Sequence, residues 1–503
     1  MIETQVGLLF PDSGSPIIGG WGDSCMHTEF ENKTIAVVGL ARSGLACCRV
    51  LAQLGATVIP YDGKPAEALT DALAEVAALD LAPVVGGAPL DYSRLDYVVT
   101  SPGVRKDAAV LVNAVAAGVP VLGEIEAAYR IARAPILAIT GTNGKTTTTL
   151  LLGEMLKAAG IETYVAGNIA AGDIALPLIQ AAFDASPDAA IVAEISSFQL
   201  EWISTFRPKV AALLNISPDH GDRQTWEEYV AAKWRIFENQ TEEDFAVLHK
   251  DLLFSPTRRR GEAHTWDFGR GSSDEYMAYE YNGYLSIEFG GLDPVYPSEC
   301  RRIGTIAEVK LPGAHNLENI LAAAAMATAF GVGIEPIRQV ATTFTGVVHR
   351  LEYVETIAGV KYVNNSMCTN ADAFAKSLEA LPELKVVIAG GVFKGGDVAT
   401  LADAVVRNNV KALVLIGRSA PQIEDAARAA GYVTVHRAGT LADAVTTAAG
   451  LAEAGDTVLL APACASFDMF ADFEDRGEQF KRAVRSKNPS RSFLAPSPVR
   501  EGQ

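Results

Sequence analysis

Residues 136–147 read ILAITGTNGKTT, in which an apolar stretch leads into a glycine-flanked turn, a lysine and two threonines. The main-chain N–H groups of such a turn, together with the N-terminus of the helix that follows, can surround phosphate oxygens. Lys145 would bring a positive charge to the β- and γ-phosphates, and the Thr146 hydroxyl is a suitable ligand for Mg²⁺. The sequence therefore predicts an ATP-binding loop made of Gly141, Thr142, Asn143, Gly144, Lys145, Thr146 and Thr147.

The sequence of this loop differs from that of the common phosphate-binding loop. The common phosphate-binding loop has a glycine five residues before its Gly-Lys pair, and this chain has Ile139 there. The difference argues against an ordinary P-loop kinase or GTPase. A chance Gly-Lys-Thr in a surface turn is the competing interpretation. It is disfavoured by the strand pattern before the loop and by the helix pattern over 150–159, which Gly160 closes.

Four polar residues downstream of the loop are candidates for chemistry: Asn168, Glu194, His220 and Lys233. Glu194 and His220 fall at or just past the ends of predicted parallel strands, where open α/β sheets bind their ligands. Taken singly, such residues are more often a helix cap, a satisfied hydrogen-bonding group or a solvated surface charge. Their significance depends on whether the fold brings them together.

Composition limits the class of protein. A chain of 503 residues is too long for one core and suggests about three domains. No apolar run is long enough to span a membrane and no signal peptide precedes the first strand pattern, so a cytoplasmic location is expected. The six cysteines show no CxxC pair or metal-ligand spacing, as in reduced proteins. The net charge of −18 disfavours nucleic acid or an anionic membrane surface as the main partner.

Strand-like and helical patterns alternate along most of the chain, which predicts α/β domains built on parallel sheets. A polar region over about 255–305 suggests a small antiparallel part in the middle. The predicted strands are 34–39, 56–62, 97–103, 119–124, 136–140, 190–196, 210–217, 361–365, 385–391, 412–417 and 456–463. The expected segments are a disordered extension over 1–31, domains over 32–133, 134–346 and 347–487, and a disordered tail over 488–503.

The first domain imitates a dinucleotide-binding fingerprint, because VVGLARSG is followed by Asp62 at the end of the second strand. The spacing of Gly39 and Gly44 does not match GxGxxG, so an NAD-dependent dehydrogenase is a weak alternative. The functional interpretation is a nucleotide diphosphate bound at the helix N-terminus after Gly44. The structural alternative is a tight turn that needs glycine for packing.

Considered together, the motifs resemble the Mur ligase family. They are GTNGKTT, GNIA, ExSSFQLE, DHxDR, AAKWRIFEN, LPGAHNLENILAA, HRLE, NSxxTN, GGxxKGGD and PACASFDMFADFEDRGEQF, in that order, over about 33–483. The resemblance implies three consecutive α/β domains: a Rossmann-like N-terminal domain that binds a UDP substrate, a central P-loop-like ATPase domain, and a Rossmann-like C-terminal domain that binds an amino acid.

The resemblance also implies an activity. The SSFQLE and ACASFDMFADFEDRG stretches are most similar to those of the member that adds D-glutamate to UDP-N-acetylmuramoyl-L-alanine in peptidoglycan precursor synthesis. It implies an ATP-dependent acid–amino-acid ligase that acts through an acyl phosphate, with ATP and two Mg²⁺ ions as cofactors. We expect a monomer with no nucleic-acid partner and no membrane span.

Residue roles follow from the same resemblance. Lys145, Glu194, His220 and Lys233 are expected to be catalytic. Asn316, Asn319, Arg350 and Asn365 are expected to contact ATP, with Arg350 reaching it when the domains close. The UDP substrate is expected at Arg42, Ser43, Asp62, Ser101, Gly103, Asn168 and His220, the amino acid at Thr369, Lys394, Ser466 and Phe473, and metal at Thr146, Glu194, His220 and a carbamylated Lys233.

The chain departs from the family in one motif. The family usually reads Asn-Asp-Ser-Lys-Ala-Thr-Asn where this chain has Asn364-Asn365-Ser366-Met367-Cys368-Thr369-Asn370. Met367 cannot stabilise charge on a phosphate as a lysine would. Another cation such as Lys394 or Arg350 is the favoured substitute, and a slower ligase or a paralogue with another amine substrate, for example L-glutamate, is an alternative. A folylpolyglutamate-synthase-like ligase and a nucleotide-binding protein without ligase activity are further alternatives.

Overall fold

The computed structural model describes residues 29–169, 176–217, 224–253, 261–271, 277–289, 299–311, 313–346, 348–369, 371–379, 381, 383–393 and 398–487. They divide into two compact units between Phe344 and Thr345. The first unit contains two sheets and the second contains one. Within the described part of the chain, no helix is both long and apolar enough to cross a membrane.

The first sheet is parallel throughout, with the strand order β3-β2-β1-β4-β5. Its elements are β1 Thr34–Val38, α1 Arg42–Gln53, β2 Thr57–Asp62, α2 Thr70–Ala78, β3 Val84–Val85, β4 Tyr97–Thr100, α3 Ala109–Ala116, β5 Val121–Gly123 and α4 Glu124–Ile131. The core reaches into the predicted extension, because Phe30 is fully buried and its ring packs edge-on against Tyr97 at 5.7 Å.

The second sheet has nine strands in the order β14-β13-β12-β11-β10-β9-β6-β8-β7. Its elements are β6 Ile136–Thr140, α5 Lys145–Ala158, β7 Thr163–Gly167, α6 Leu178–Asp184, β8 Ala190–Glu194, α7 Ser197–Leu200, β9 Val210–Leu213, α8 Trp226–Trp234, β10 Phe245–His249, β11 His264–Arg270, β12 Ala278–Tyr281, β13 Tyr284–Phe289, β14 Glu299–Thr305, α9 Ala314–Ala329 and α10 Ile334–Thr343. Among the described pairings of this sheet, only β12 with β13 and β13 with β14 are antiparallel. The predicted antiparallel part is therefore confined to its second half, since β11 is parallel to both β10 and β12.

The second unit has a six-stranded sheet in the order β15-β16-β20-β17-β18-β19. Its elements are β15 Glu352–Ile357, β16 Val360–Asn364, α11 Ala371–Glu379, β17 Lys385–Gly390, α12 Val398–Arg407, β18 Val410–Ile416, α13 Ala420–Ala429, β19 Val435–Arg437, α14 Leu441–Leu451, β20 Thr457–Leu460 and α15 Phe473–Arg485. Apart from the edge strand β15, the described strands pair in parallel. Helices packed on three mainly parallel sheets confirm the predicted α/β class.

Helix α4 connects the two sheets of the first unit. Glu126 is fully buried and accepts hydrogen bonds from the main-chain N–H groups of Ser204, Thr205 and Phe206 at 2.9, 3.0 and 2.9 Å. Arg130, one turn later, donates to the same carboxylate at 2.9 Å. A buried carboxylate with this many donors fixes the loop that it binds, because any lost donor would leave the charge undersolvated.

Candidate active site

The phosphate loop lies between β6 and α5, and two glycines shape it. Gly141 has a φ of +155° and Gly144 a φ of +82°, which other residues rarely adopt. Lys145 folds back over the loop, and its Nζ donates to the carbonyl oxygens of Gly141 at 3.0 Å and Thr142 at 2.9 Å. Both carbonyls belong to the loop whose N–H groups are predicted to surround the phosphates.

Strand order brings the predicted metal ligands together. Strand β8 lies beside β6, so Glu194 at the end of β8 faces the first turn of α5. The Thr146 hydroxyl donates to Glu194 Oε2 at 2.7 Å, and both side chains are buried. A hydroxyl and a carboxylate are oxygen donors of the kind that Mg²⁺ prefers, so these residues fit the ion.

Among the residues that it describes, the structure does not show the other predicted metal ligands next to Thr146 and Glu194 as a metal-binding group. The described residues contain no group of three or more His, Cys, Asp or Glu side chains that could hold a metal. His220 lies outside the described residues. Two oxygen ligands next to a phosphate loop nevertheless suit Mg²⁺, which keeps several waters and usually binds one or two protein groups together with substrate phosphates.

Lys233 lies against the phosphate loop from α8. It is 2% exposed, and its Nζ donates to the Gly141 carbonyl at 2.8 Å. The same Nζ is 4.5 Å from the centre of the Tyr229 ring, one helical turn earlier. The Tyr229 hydroxyl is 2.9 Å from Thr142 Oγ1. Tyr229 was not predicted, although its position four residues before Lys233 places both side chains on one helix face.

Asn316 and Asn319 lie near the start of α9, and Asn319 lies against the loop at Gly144. Asn319 Nδ2 donates to Asn316 Oδ1 at 2.9 Å, and Asn319 Oδ1 accepts from the Thr148 hydroxyl at 3.3 Å. A Cβ on Gly144 would collide with Asn319 Oδ1. Gly144 therefore leaves room for the Asn319 side chain beside the loop. Asn143 is exposed, its N–H donates to Asn215 Oδ1 at 2.8 Å, and Thr147 is half-buried on α5.

Asn168 follows β7, next to Glu194. Its side chain is exposed, and its N–H donates to the Glu194 carbonyl at 2.9 Å. Gly167, with a φ of +99°, has no room for a Cβ because the Glu194 main chain lies against it. The phosphate loop, Glu194, Lys233 and Asn168 thus lie at one edge of the second sheet.

In the first sheet, the residues predicted to bind the UDP substrate gather where β1, β2 and β4 end. The Ser101 hydroxyl donates to the Gly39 carbonyl at 2.8 Å, and a Cβ on Gly44 would collide with that carbonyl. The Asp62 carboxylate accepts from the N–H groups of Leu40 at 3.0 Å and Lys64 at 2.9 Å. Asp62 and Ser101 therefore shape this edge, whereas Arg42, Ser43 and Gly103 are exposed or half-buried beside it.

A cleft beside this edge contains residues that the sequence did not single out. Its lining includes the predicted Ser101 together with Glu124, Gln199 and Trp202, which were not predicted. Glu124 is buried, and its Oε1 accepts from the Ile179 N–H at 2.9 Å. Burial raises the pKa of Glu124 to about 6. Gln199 belongs to the SSFQLE motif, and this motif is the sequence feature that could have identified it as a candidate site residue.

In the second unit, Arg350 lies in a constrained turn. Its neighbours His349 and Leu351 have φ angles of +64° and +44°. The Leu351 N–H donates to Asn365 Oδ1 at 3.1 Å, and the His349 carbonyl accepts from the Met367 N–H at 3.1 Å. Arg350 is exposed at the tip of this turn, and the turn lies against the segment in which the chain departs from the family.

The side chain of Asn365 points into the second unit. It is 4% exposed, and its Nδ2 donates to Ser377 Oγ at 2.5 Å while its Oδ1 binds the Leu351 N–H. Both amide groups thus have partners within the unit. One lone pair of Oδ1 and one hydrogen of Nδ2 are left for the predicted contact with ATP.

The residues predicted to bind the amino acid lie on two loops after β16 and β20 and at the start of α15. Thr369 is half-buried, Ser466 is 2% exposed, and the Phe473 ring packs edge-on against His349 at 6.2 Å. Strands β16, β20 and β17 are neighbours, so their following loops share one edge of the sheet. Lys394 lies outside the described residues.

Three family models match consecutive parts of the chain. The Mur ligase MurD-like N-terminal domain matches residues 33–123, the Mur ligase middle domain matches 139–327, and the Mur ligase glutamate ligase domain matches 349–464. These segments contain the three sheets described above.

Relatives and solved structures agree with these matches. The chain is 43% identical over 461 residues to the UDP-N-acetylmuramoylalanine--D-glutamate ligase of Caldanaerobacter subterraneus subsp. tengcongensis, covering 91% of this chain and 99% of the relative. It is 44% identical to the enzyme of that name from Thermoanaerobacter sp., again covering 91% of this chain and 99% of the relative. The MurC ligase of Thermotoga maritima shares the fold, with a TM-score of 0.50, 19% identity and coverage of 90% of this chain and 99% of that one. The chain therefore belongs to the Mur ligase family.

Proposed function

We propose that this protein is an ATP-dependent ligase that joins D-glutamate to UDP-N-acetylmuramoyl-L-alanine in peptidoglycan precursor synthesis. The observation that carries the proposal is the cluster of Lys145, Thr146, Glu194 and Lys233 around one phosphate loop. The chain that contains this cluster is 43% identical to a relative named for this reaction.

The proposed reaction has two steps. A carboxylate oxygen of the alanyl group attacks the γ-phosphorus of ATP, the bond to the β,γ-bridging oxygen breaks, and ADP leaves. The D-glutamate nitrogen then attacks the acyl carbon, the carbon–oxygen bond to the phosphate breaks, and inorganic phosphate and a proton leave. Each step moves negative charge between oxygens, so positioning and positive charge are what the protein must supply.

Lys145 supplies one of these charges at the loop. Its Nζ lies over the main chain of Gly141 and Thr142, where it would meet the β- and γ-phosphate oxygens. Thr146 and Glu194 would hold Mg²⁺, which neutralises phosphate charge when bound. We propose that His220 and a carbamylated Lys233 hold a second ion.

The remaining roles are proposals that rest on the family resemblance. Asn316 and Asn319 would contact the adenine, and Arg350 would act on the phosphates. Arg42, Ser43, Asp62, Ser101, Gly103 and Asn168 would bind the UDP substrate. Thr369, Lys394, Ser466 and Phe473 would bind D-glutamate, with Lys394 pairing with a carboxylate. The monomeric state and the cytoplasmic location remain predictions.

Phosphate release tests the proposed substrates. The protein is mixed with ATP, Mg²⁺ and UDP-N-acetylmuramoyl-L-alanine, and each candidate amino acid is added in turn. D-glutamate should stimulate release, and L-glutamate should not. Stronger stimulation by L-glutamate would favour the paralogue with another amine substrate. Release without any amino-acid dependence would contradict ligation.

A further inference from the structure

A fully buried arginine connects the loops that were predicted to bind the amino acid. Arg476, on α15, is 0% exposed. Its Nε donates to Ser366 Oγ at 2.9 Å, its Nη2 to the Ser366 carbonyl at 2.8 Å, and its Nη1 to the Cys464 carbonyl at 3.0 Å. Each side of the guanidinium group therefore engages a different part of the loops.

Burying this group without a hydrogen-bonded carboxylate is costly. Its three acceptors are one hydroxyl and two main-chain carbonyls, and burial lowers the pKa of Arg476 to about 10. The guanidinium therefore remains charged at neutral pH. An interior charge of this kind is expensive to keep, so a well-packed apolar residue would stabilise the fold at least as well. General stability is accordingly a poor explanation for an arginine here.

Ser366 extends the connection to a third segment. Its hydroxyl accepts from Arg476 and donates to the Phe473 carbonyl at 2.7 Å. Its N–H donates to Asn364 Oδ1 at 3.1 Å, at the end of β16. One arginine and one serine thus join the loop after β16, the loop after β20 and the first residue of α15.

These three segments carry the described residues of the predicted amino-acid site. Thr369 lies three residues after Ser366, and Ser466 lies two residues after Cys464. Phe473 provides the carbonyl that Ser366 binds. A second contact orders the Phe473 ring, because the buried His349 ring packs against it and Gly477 leaves room for that ring where a Cβ would collide with it.

We infer that Arg476 is a positioning residue for the incoming amino acid, because its planar guanidinium group holds the loops of Thr369 and Ser466 and the start of α15 in one arrangement through Ser366. The inference rests on the proposed function. Arg476 is 0% exposed, so it is not placed to contact a substrate itself. Its effect is on where Thr369, Ser466 and Phe473 lie relative to one another.

The planar geometry makes the test specific. Lysine keeps the charge but offers one point of donation, so Arg476→Lys cannot reach all three acceptors. Ser366→Ala keeps the arginine and removes only the hydroxyl that links it to the Phe473 carbonyl. In full-length protein, each variant should raise the KM for D-glutamate by about tenfold or more, the size of a lost charged hydrogen bond. The KM values for ATP and the UDP substrate should stay within about twofold of the wild type.

Lys385→Met is the matched control. Lys385 is another buried cation of this unit, 1% exposed, and its Nζ donates to the Asn408 carbonyl at 2.6 Å. It begins β17, so it lies at the opposite edge of the same sheet from the loops that follow the strands. The control should lower the melting temperature while leaving the KM for D-glutamate within about twofold.

The outcomes separate the inference from the proposed function. Equal changes in all three KM values, an unchanged KM for D-glutamate, or wild-type kinetics in Arg476→Lys would overturn the positioning role. Failure of Ser366→Ala to fold would also overturn it, because the contacts would then serve the fold in general. A wild-type protein without D-glutamate-dependent phosphate release would instead contradict the proposed function.

Discussion

Lys233 is a buried cation that lies against the phosphate loop. Its Nζ binds the Gly141 carbonyl and lies over the Tyr229 ring. Reaction with CO₂ would turn this amine into a carbamate, which carries a negative charge and can ligate a metal. The structure therefore leaves room for two chemical roles, a cation that braces the loop or a metal ligand.

Lys233→Arg distinguishes these roles. Arginine keeps the positive charge but cannot form the carbamate, so we expect phosphate release to fall by about 100-fold or more, as when an electrostatic group of a catalytic site is lost. Removal of CO₂ should lower wild-type activity and bicarbonate should restore it, while the variant responds to neither. A variant within about threefold of the wild type would favour the bracing role.

For single residues, the sequence predicts well which side chains belong to the phosphate loop and its surroundings, and predicts poorly how those side chains are oriented. Lys145, Thr146 and Glu194 were found because the strand and helix around them are strongly patterned. The contact of Asn365 with ATP stays a prediction, and the sequence did not indicate that its amide also binds Ser377 and Leu351. Which way a short polar side chain turns depends on partners that are distant in sequence, and no local pattern records them.

Helix α5 positions the phosphate loop, and a glycine with positive φ lies at each end of it. Gly144 has a φ of +82° and faces Asn319, whereas Gly160 has a φ of +80° with nothing within 4 Å of a Cβ. The two positions share one backbone conformation and differ in their surroundings. Their contribution to nucleotide binding can therefore be separated from backbone strain.

Gly144→Ala and Gly160→Ala form a matched pair. Both should cost about 1–2 kcal/mol of stability through the left-handed backbone. Only Gly144→Ala should also push α9 away from the loop and raise the KM for ATP, by about tenfold or more. Equal KM values for ATP in the two variants would show that the approach of Asn319 does not matter for the nucleotide.

Helix α6 begins against the buried carboxylate of Glu124, whose pKa burial raises from 4.5 to about 6. The folded protein therefore holds this proton more tightly than the unfolded chain. The contribution of protonated Glu124 to the stability of the fold is fully present below about pH 4.5 and is lost as the pH rises through about 6.

Glu124→Gln removes this titration. We expect the free energy of unfolding of the wild type, measured by urea titration, to fall by about 2 kcal/mol relative to the variant between about pH 4.5 and about pH 7. Glu154→Gln, on the exposed side of α5, is the control and should show no such change. Parallel pH profiles for the wild type and Glu124→Gln would contradict the assignment.

The elements missing from the sequence prediction are mainly edge strands. Strands β3, β7, β15 and β19 each end a sheet, and they are short or only partly buried. Interior parallel strands are covered on both faces and read as continuous apolar runs, whereas edge strands are not. The interior strand β10 is an exception, because it is fully buried and was still missed.

On the scale of the whole chain, a protein with a net charge of −18 is proposed to bind three anionic substrates. The global field opposes this, so local groups must overcome it: Lys145 and Lys233 at the phosphate loop, and the proposed Lys394 for the amino acid. Because such charges act over a few ångströms inside a folded site, the overall charge does not exclude anionic ligands.

The central claim is that the phosphoryl group of ATP is transferred to the substrate carboxylate. UDP-N-acetylmuramoyl-L-alanine labelled with ¹⁸O in its carboxylate, with ATP and D-glutamate, tests it directly by mass spectrometry of the released nucleotide and phosphate. We predict ADP without label and inorganic phosphate that carries one ¹⁸O atom, since the attacking oxygen leaves with the phosphate. Label in AMP, or unlabelled phosphate, would contradict the account.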